Sequence, residues 1–351
     1  MVKRTTSSSL SNSLKSQNKK SHQKSHKQNN NIKREKLDPF LSLSKESQLP
    51  QDSTALSTDI STITNQNELT NYYSQHNYIT VKTYGKDFIN YQKLKEKENF
   101  INPNFLVKNN INPELRRTAL TWIYTIIKNN NLSLYVYFLS VYIFDKYLSL
   151  ERKNKKYHYV NYARKQLKEI AFTSLFIASK FENIAPFLLC GVSMFKVKMI
   201  KKMEMKILSK INFDIEHFSS FHFIKSFFCD LNLRNSELII NLDSKNYIDI
   251  LENISITLSK LLSLNEHFYY FSQSNIAIGC IIKSFDILVN NSKRITPIQI
   301  GFLKQWINNL IDSNNQGNGR QIIFNVTSKI QDYWNNNQDF YIINEDQLVF
   351  D

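Results

Sequence analysis

The chain has 351 residues, with 45 lysines and arginines against 30 aspartates and glutamates, and a formal net charge of +15 at pH 7. Its 6 glycines and 6 prolines are too few for an all-β chain, which needs turn residues about every ten positions, or for glycine-rich phosphate loops. The 3 cysteines form no CxxC pair or Cys/His quartet, which argues against a structural zinc site or a disulfide scaffold. No apolar run is long enough to span a bilayer, so we expect a soluble intracellular protein.

Residues 1–75 form a basic segment rich in Ser, Asn and Gln, with few apolar residues and no helical period. Such a composition cannot offset the entropy of ordering the chain, so we expect a disordered tail. A basic tail suits a nuclear import signal, a nucleic-acid-binding arm or a solvated leader.

Apolar residues begin to recur at helical spacing near residue 82. Tyr84, Phe88 and Tyr91 follow one stripe, which predicts an isolated amphipathic helix within 82–112. Asn112-Pro113-Glu114 then gives a strong helix start, with an N-cap residue, a first-turn proline and an adjacent acid. Further helices are expected at 134–148, 162–182 and 197–211, with a short segment at 186–195.

The second half repeats this rhythm, with helices expected at 217–231, 245–263, 266–288, 297–313 and 320–335. The helices at 162–182 and 266–288 carry small residues among large apolar ones, a pattern typical of central helices that allow close packing. We therefore predict an all-α chain of two tandem five-helix units, at 113–216 and 217–335, followed by a C-terminal tail at 336–351.

Glu204 interrupts the apolar stripe of its helix, and Lys180 stands near the end of the preceding central helix. A charge on a core-facing stripe costs several kcal/mol unless it is paired. One interpretation is a partly buried salt bridge or a side chain that reaches out to solvent. The other is a charged pair at the edge of an apolar groove, held ready for the backbone of a partner.

Several segments around these residues resemble the cyclins, the regulatory subunits of cyclin-dependent kinases. The segments similar to the first cyclin box are Leu115 to Ile123, the Ala178-Ser179-Lys180-Phe181-Glu182 string, and Met203-Glu204-Met205 with Ile211 to Ile215. Tyr84 to Tyr91 resembles the N-terminal helix of mitotic, A/B-type cyclins. Phe218 to Phe228 and Glu266 to Phe285 resemble the second repeat, so the likeness covers about residues 82–335.

The resemblance implies an all-α fold of two cyclin-box repeats and a heterodimer with a cyclin-dependent protein kinase. It implies that Lys180 and Glu204 hydrogen-bond backbone groups at the regulatory helix of the kinase small lobe. It also implies that the chain catalyses no reaction itself. By seating that helix, it would shift the kinase to its active state. The other implied contacts are Ile177, Phe181, Phe213 and Ile215 under the kinase helix, and Phe88 and Tyr91 on the N-terminal helix.

The family's substrate-docking patch corresponds here to Leu115, Arg116 and Trp122. Thr118 and Ala119 stand where the family has larger apolar residues, which narrows the groove. The resemblance therefore gives only weak support for substrate docking at these positions.

Two short strings have the form of destruction signals. Lys97-Glu98-Asn99 spells a KEN box, and Arg34 with Leu37 fits a minimal destruction-box pattern within the tail. Their alternative interpretation is a solvated charged helix end and a chance match. As signals they predict contact with ubiquitin-ligase machinery and destruction in each division cycle. We expect the protein in the nucleus and cytoplasm.

Three rival functions remain open: a transcription-type cyclin, a tandem cyclin-fold transcription factor that binds DNA, and an all-helical scaffold in which Lys180 and Glu204 are structural. The basic charge suits phosphate contacts, but the chain lacks the zinc ribbon of that transcription factor, because no cysteine precedes Cys190. The histidines form no cluster with a nucleophile or metal-ligand spacing. We therefore expect no catalytic residue, metal or cofactor, and no membrane or nucleic-acid partner.

Overall fold

The computed structural model describes residues 79–150, 164–182, 197–234, 245–291, 295–314 and 319–342, and within these ranges every regular element is helical. The all-α prediction is therefore confirmed for the part of the chain that the structure describes. The elements, in chain order, are α1 (Lys86–Glu98), α2 (Phe105–Lys108), α3 (Pro113–Asn129), α4 (Leu134–Leu150), α5 (Arg164–Phe181), α6 (Val197–Lys210), α7 (Ser220–Arg234), α8 (Lys245–Ser263), a 3₁₀ helix (Glu266–Tyr270), α9 (Gln273–Asn291), α10 (Pro297–Asn314) and α11 (Gly319–Ile342).

Helices α3 and α10 each begin at a capping residue followed by a first-turn proline. The Asn112 side chain accepts a 2.9 Å hydrogen bond from the Glu114 amide at the start of α3. At the start of α10, Thr296 and Gln299 bond each other's backbone N–H groups at 2.9 and 3.3 Å, which is a capping box. These side chains satisfy N–H groups that a helix start leaves without intrahelical partners.

Each half of the fold is arranged around one central helix. α5 packs against α3, α4 and α6, and α9 packs against α7, α8, α10 and α11. Small residues permit this close packing: Ala171, Ser174 and Ala178 on α5 are fully buried. A Cβ built on Gly279 of α9 would lie 2.8 Å from Ile330 Cδ1 of α11, so the absence of a side chain there sets the approach of these two helices.

Helix α1 is attached to the second half as well as to the linker between the halves. Glu96 accepts hydrogen bonds from the Ser274 amide at 2.9 Å and from the Ser274 hydroxyl at 3.0 Å. The Glu96 carboxylate thereby caps the N-terminus of α9, where the helix dipole stabilises negative charge. Burial of the Glu96 carboxyl nevertheless raises its pKa, because desolvation outweighs these hydrogen bonds. α1 also packs against α7.

Two of the expected helices have different bounds in the structure, and the short helix α2 was not expected. The expected helix at 266–288 is divided into the 3₁₀ helix and α9, because the Asn265 side chain accepts from the His267 amide and starts a separate short turn. α11 continues to Ile342, beyond the expected end at 335, since no glycine or proline interrupts it. The expected tail at 1–75, the segment at 186–195, and the residues Arg34 and Leu37 lie outside the described residues.

Candidate functional site

Lys180 and Glu204 meet at the protein surface. Lys180 lies in the last turn of α5 and Glu204 in the middle of α6, and the lysine Nζ donates a 2.7 Å hydrogen bond to Glu204 Oε1. The lysine side chain is 54% exposed, whereas the glutamate side chain is 13% exposed. Lys180 Nζ also lies 5.0 Å from the centroid of the Phe176 ring, a cation–π contact that supports the ammonium from below. The ammonium is therefore held in place and yet accessible from outside.

Two phenylalanines next to these helix ends are exposed. Phe181 directly follows Lys180 and is 52% exposed, and Phe213 follows α6 and is 59% exposed. Exposed rings of this size contrast with the buried Ile177, one turn before Phe181, and with Ile215, which is half-buried. Of the four residues expected beneath the kinase helix, two are exposed rings, Ile215 is half-buried, and Ile177 is buried and supports the others from inside.

The exposure of Phe213 follows from a tight backbone turn at the end of α6. Asn212 and Phe213 both have positive φ, at 56° and 57°, a left-handed conformation that a bulky residue seldom adopts. The Phe213 amide donates to the Leu208 carbonyl at 2.8 Å, which satisfies one of the last carbonyls of the helix. Strained residues of this kind are concentrated at functional sites.

Phe88 and Tyr91 hold α1 against the linker that joins the two halves. Their rings contact Phe218 edge-on, with centroid distances of 6.1 and 5.8 Å. The Tyr91 hydroxyl donates a 2.6 Å hydrogen bond to Glu216 Oε1, and this bond, which favours the neutral phenol, raises the pKa of Tyr91. Lys95 Nζ lies 3.8 Å from the other Glu216 oxygen. Both residues expected to contact a kinase therefore also fasten α1 to the fold.

Arg116 is completely buried between the two halves. Its guanidinium donates to both oxygens of Asp145, at 2.8 and 2.6 Å, and to the backbone carbonyls of Ser263 and Leu264, at 2.9 Å each. The Tyr269 hydroxyl donates to the same carboxylate at 2.5 Å. Burial opposes the charge of Arg116, but the Asp145 carboxylate outweighs that effect and the pKa of the guanidinium is raised. Because four of its N–H groups bond these internal acceptors and its side chain is 0% exposed, Arg116 offers no charge to an external peptide.

Leu115 and Trp122, the other residues of the possible docking patch, have little free surface. Trp122 is buried against Phe172, with ring centroids 6.3 Å apart. Lys168 Nζ lies 5.2 Å from the Trp122 ring centroid, and its partial burial lowers the pKa of the ammonium. Leu115 is half-buried. An apolar peptide side chain would have to displace the Lys168 stem to reach the indole.

The three residues of the KEN string differ in accessibility. Lys97 and Glu98 are exposed on the last turn of α1, whereas Asn99 is buried. The Asn99 side-chain amide donates a 2.5 Å hydrogen bond to the Glu216 carbonyl. A protein that binds all three residues of the string would therefore first have to break the hydrogen bond between Asn99 and the linker.

Two residues at the site were missed by the sequence analysis. Asp145 directly follows the apolar run from Leu132 to Phe144, and a lone acid among buried residues indicates a buried partner. Glu216 receives bonds from α1, and no periodic signal points to it, because it lies in a linker.

Among the described residues, no group of three or more His, Cys, Asp or Glu side chains is placed to hold a metal ion. Within the same ranges, no helix has both the length and the hydropathy that crossing a bilayer requires.

Comparisons with known proteins bear on this arrangement. Residues 87–216 match the family model described as "Cyclin, N-terminal domain", a range that includes Lys180, Glu204 and all but the first residue of α1. The G2/mitotic-specific cyclin-B2 of Bos taurus is 26% identical over 147 residues, which cover 40% of this chain and 35% of the relative. The G1/S-specific cyclin-D of Caenorhabditis elegans is 28% identical over 143 residues, covering 37% of this chain and 33% of the relative.

The chain therefore spans about a third of the length of the curated relatives that it matches. B-type and D-type proteins match at similar identity, so the match does not select one type. Among solved structures, an X-ray structure of a viral cyclin from herpesvirus saimiri is 18% identical, with a TM-score of 0.45, and the alignment covers 69% of this chain and 96% of the viral protein.

Proposed function

We propose that this chain, whose residues 87–216 match the cyclin N-terminal domain, binds and activates a cyclin-dependent protein kinase by seating the regulatory helix of the kinase small lobe. The observation that carries the proposal is the Lys180–Glu204 pair, joined by a 2.7 Å bond and open to solvent on the lysine side. The enzyme activity belongs to the kinase, and the cyclin contributes binding energy.

The pair suits recognition of another molecule's main chain. An ammonium has three donors and a carboxylate has up to four acceptor sites, so the single bond between Lys180 and Glu204 leaves both groups able to bond a partner. Backbone groups at a helix end supply matching carbonyls and N–H groups. Charge-assisted hydrogen bonds of this kind fix orientation as well as adding affinity.

The exposed rings supply the apolar part of the interface. Phe181 and Phe213 are each more than half exposed in the free chain, and complete burial of a phenylalanine is worth about 1.5–3 kcal/mol. An exposed ion pair, by contrast, adds only about 0–1 kcal/mol to folding. The fold gains little from either feature, which supports a role in binding.

Activation would then follow from a shift of population. A partner that binds only the active arrangement of the kinase helix draws the kinase toward that arrangement. In protein kinases this arrangement places the helix glutamate against the nucleotide-binding lysine. A mitotic role, action in the nucleus and cytoplasm, and removal by ubiquitin-ligase machinery are parts of the same proposal.

The test is recovery of a kinase by the full-length chain from dividing cells. We expect the tagged wild-type chain to recover protein kinase activity, and a Lys180→Ala/Glu204→Ala variant to recover at least tenfold less. A Lys225→Ala/Glu252→Ala variant provides the matched control, because that pair has a similar N–O distance of 2.8 Å and lies in the second half. Equal recovery by all three proteins, or no kinase with the wild type, would refute the proposal.

A further inference from the structure

The exposed surface of α6 is unusually basic. Its 14 residues contain Lys198, Lys201, Lys202, Lys206 and Lys210, with Glu204 as the sole acid. Residues 183–196, which precede the helix, add Lys196 and contain no aspartate or glutamate. Lys198, Lys201 and Lys202 are exposed, and within the described residues no ion-pair partner faces them. We refer to these three side chains as the α6 lysine face.

This face is continuous with the proposed kinase contact. At about 100° of rotation per residue, Lys201, Lys198 and Lys202 lie about 60°, 120° and 160° around the helix from Glu204, all in the same direction. Ile200 and Ile207 occupy the opposite, buried side. A partner that covers Glu204 would therefore also lie beside Lys201, the member of the α6 lysine face nearest to the ion pair.

Apolar side chains are interleaved with the lysines. Val197, Met199 and Met205 are all exposed, although a surface that only keeps a protein in solution gains nothing from exposed methionines. Methionine is enriched at protein interfaces, whereas lysine is depleted from their cores and is tolerated at their rims. The mixture is typical of an interface border and differs from a phosphate-binding surface, to which exposed methionines would add little.

We propose that the α6 lysine face steers the kinase onto this chain, and that the kinase therefore carries an acidic surface beside its regulatory helix. The inference depends on the proposed function and adds the chemistry of the partner. Charges at an interface rim act mainly on the rate of encounter and its salt dependence, whereas buried contacts act mainly on dissociation.

The two kinds of contact can therefore be separated kinetically. Association and dissociation of the recovered kinase with the full-length chain would be measured by surface plasmon resonance between 50 and 500 mM salt. Over this range, added salt increasingly screens the attraction between exposed charges. For Lys201→Glu/Lys202→Glu, we expect the association rate at low salt to fall about tenfold or more, with a much weaker salt dependence and a nearly unchanged dissociation rate. Lys165→Glu/Lys304→Glu carries the same change of net charge on exposed lysines of α5 and α10 and should behave as wild type.

The remaining outcomes decide against the inference. If Lys201→Glu/Lys202→Glu associates at the wild-type rate while Lys180→Ala/Glu204→Ala fails to bind, the proposed function stands and the steering role is wrong. If wild type binds a random DNA duplex and only the α6 variant loses that binding, with kinase association unchanged, the face serves nucleic acid. If wild type binds no kinase, both proposals fall together.

Discussion

Arg116 and Asp145 form an ion pair that is 0% exposed on both sides, with the guanidinium donating to both carboxylate oxygens. The two residues lie on neighbouring helices of the first half, and the same guanidinium reaches carbonyls of the second half. The pair thus connects the packing of one half to the position of the other. Desolvating two charges is costly, so the additional carbonyl bonds are needed to complete the site.

Loss of the arginine should be severe. Arg116→Met would leave the Asp145 carboxylate buried without its partner, and we expect the free energy of unfolding to fall by about 3–5 kcal/mol in urea titrations. Arg117→Met is the control, because the Arg117 side chain is 41% exposed and forms only a surface ion pair with Glu114; it should change stability by less than about 0.5 kcal/mol. Similar losses for the two variants would show that burial of Arg116 is not what matters.

The close contact of α9 with α11 should be sensitive to the size of the side chain at position 279. In Gly279→Ala the new Cβ would lie within 3 Å of Ile330 and Val326 side-chain atoms, and overpacking of this kind costs about 1–3 kcal/mol. Gly301→Ala adds the same methyl group to α10, where nothing lies within 4 Å of it. That variant should gain about 0.5–1 kcal/mol from helix propensity. Thermal unfolding of both proteins measures the contrast, and a stabilised Gly279→Ala would contradict it.

Phe213 should trade stability against binding. Asparagine accepts the left-handed conformation far more readily than phenylalanine, so Phe213→Asn should raise the free energy of unfolding by about 1 kcal/mol. The same change removes an exposed ring from the proposed interface and should weaken kinase binding. Denaturant titration and kinase recovery from the same preparation test the two effects together. A variant that is stabilised and still binds normally would remove Phe213 from the interface.

Histidine burial should make the fold sensitive to acid. Burial lowers the pKa of His222 from 6.5 to about 4 and lowers that of His217 well below 6.5. The unfolded chain then binds more protons than the folded chain between these pH values, so stability is complete above pH 6.5 and declines as the pH falls toward 4.

The decline attributable to His222 should reach at most about 3 kcal/mol. His222 Nδ1 accepts from the Ser219 amide at 3.2 Å, and protonation would end that bond. His222→Asn retains an acceptor without titrating, so its unfolding free energy should be lower at pH 7.5 but should vary less with pH. If the unfolding free energy of this variant depended on pH as that of wild type does, a group other than His222 would cause the acid sensitivity.

The KEN string can be tested without disturbing the fold. Lys97 is exposed, so Lys97→Ala should leave stability unchanged and should lengthen the lifetime of the chain in dividing cells if the string is a destruction signal. Asn99→Ala should lower the free energy of unfolding by about 1 kcal/mol, because it deletes the bond to the Glu216 carbonyl. Pulse–chase decay of Lys97→Ala at the wild-type rate would leave the string as a helix end only.

The helical periods predicted most of the fold because each half buries a continuous apolar stripe. The starts at Pro113 and Pro297 followed from local capping, which depends on neighbouring residues alone. The division of the expected 266–288 helix depended on an Asn265 side chain whose bonding choice the apolar pattern does not reveal.

The candidate site was predictable where a charge broke a pattern and unpredictable where partners are distant in sequence. The position of Glu204 on an apolar stripe predicts a charged partner, and Glu204 bonds Lys180. The burial of Arg116 depends on Ser263 and Leu264, almost 150 residues away, and periodicity carries no information over such a distance. The exposure of Phe213 depends on backbone angles at one turn.

The contacts of Arg116 limit how this protein can be divided or recombined. A fragment that ended before residue 217 would keep the guanidinium and Asp145 but lose the carbonyls of residues 263 and 264 that complete the arrangement. Neither half is then a portable module, and a chimera that joins a foreign second half would have to supply the same acceptors at the same place. Evolutionary exchange is accordingly expected to transfer both halves together.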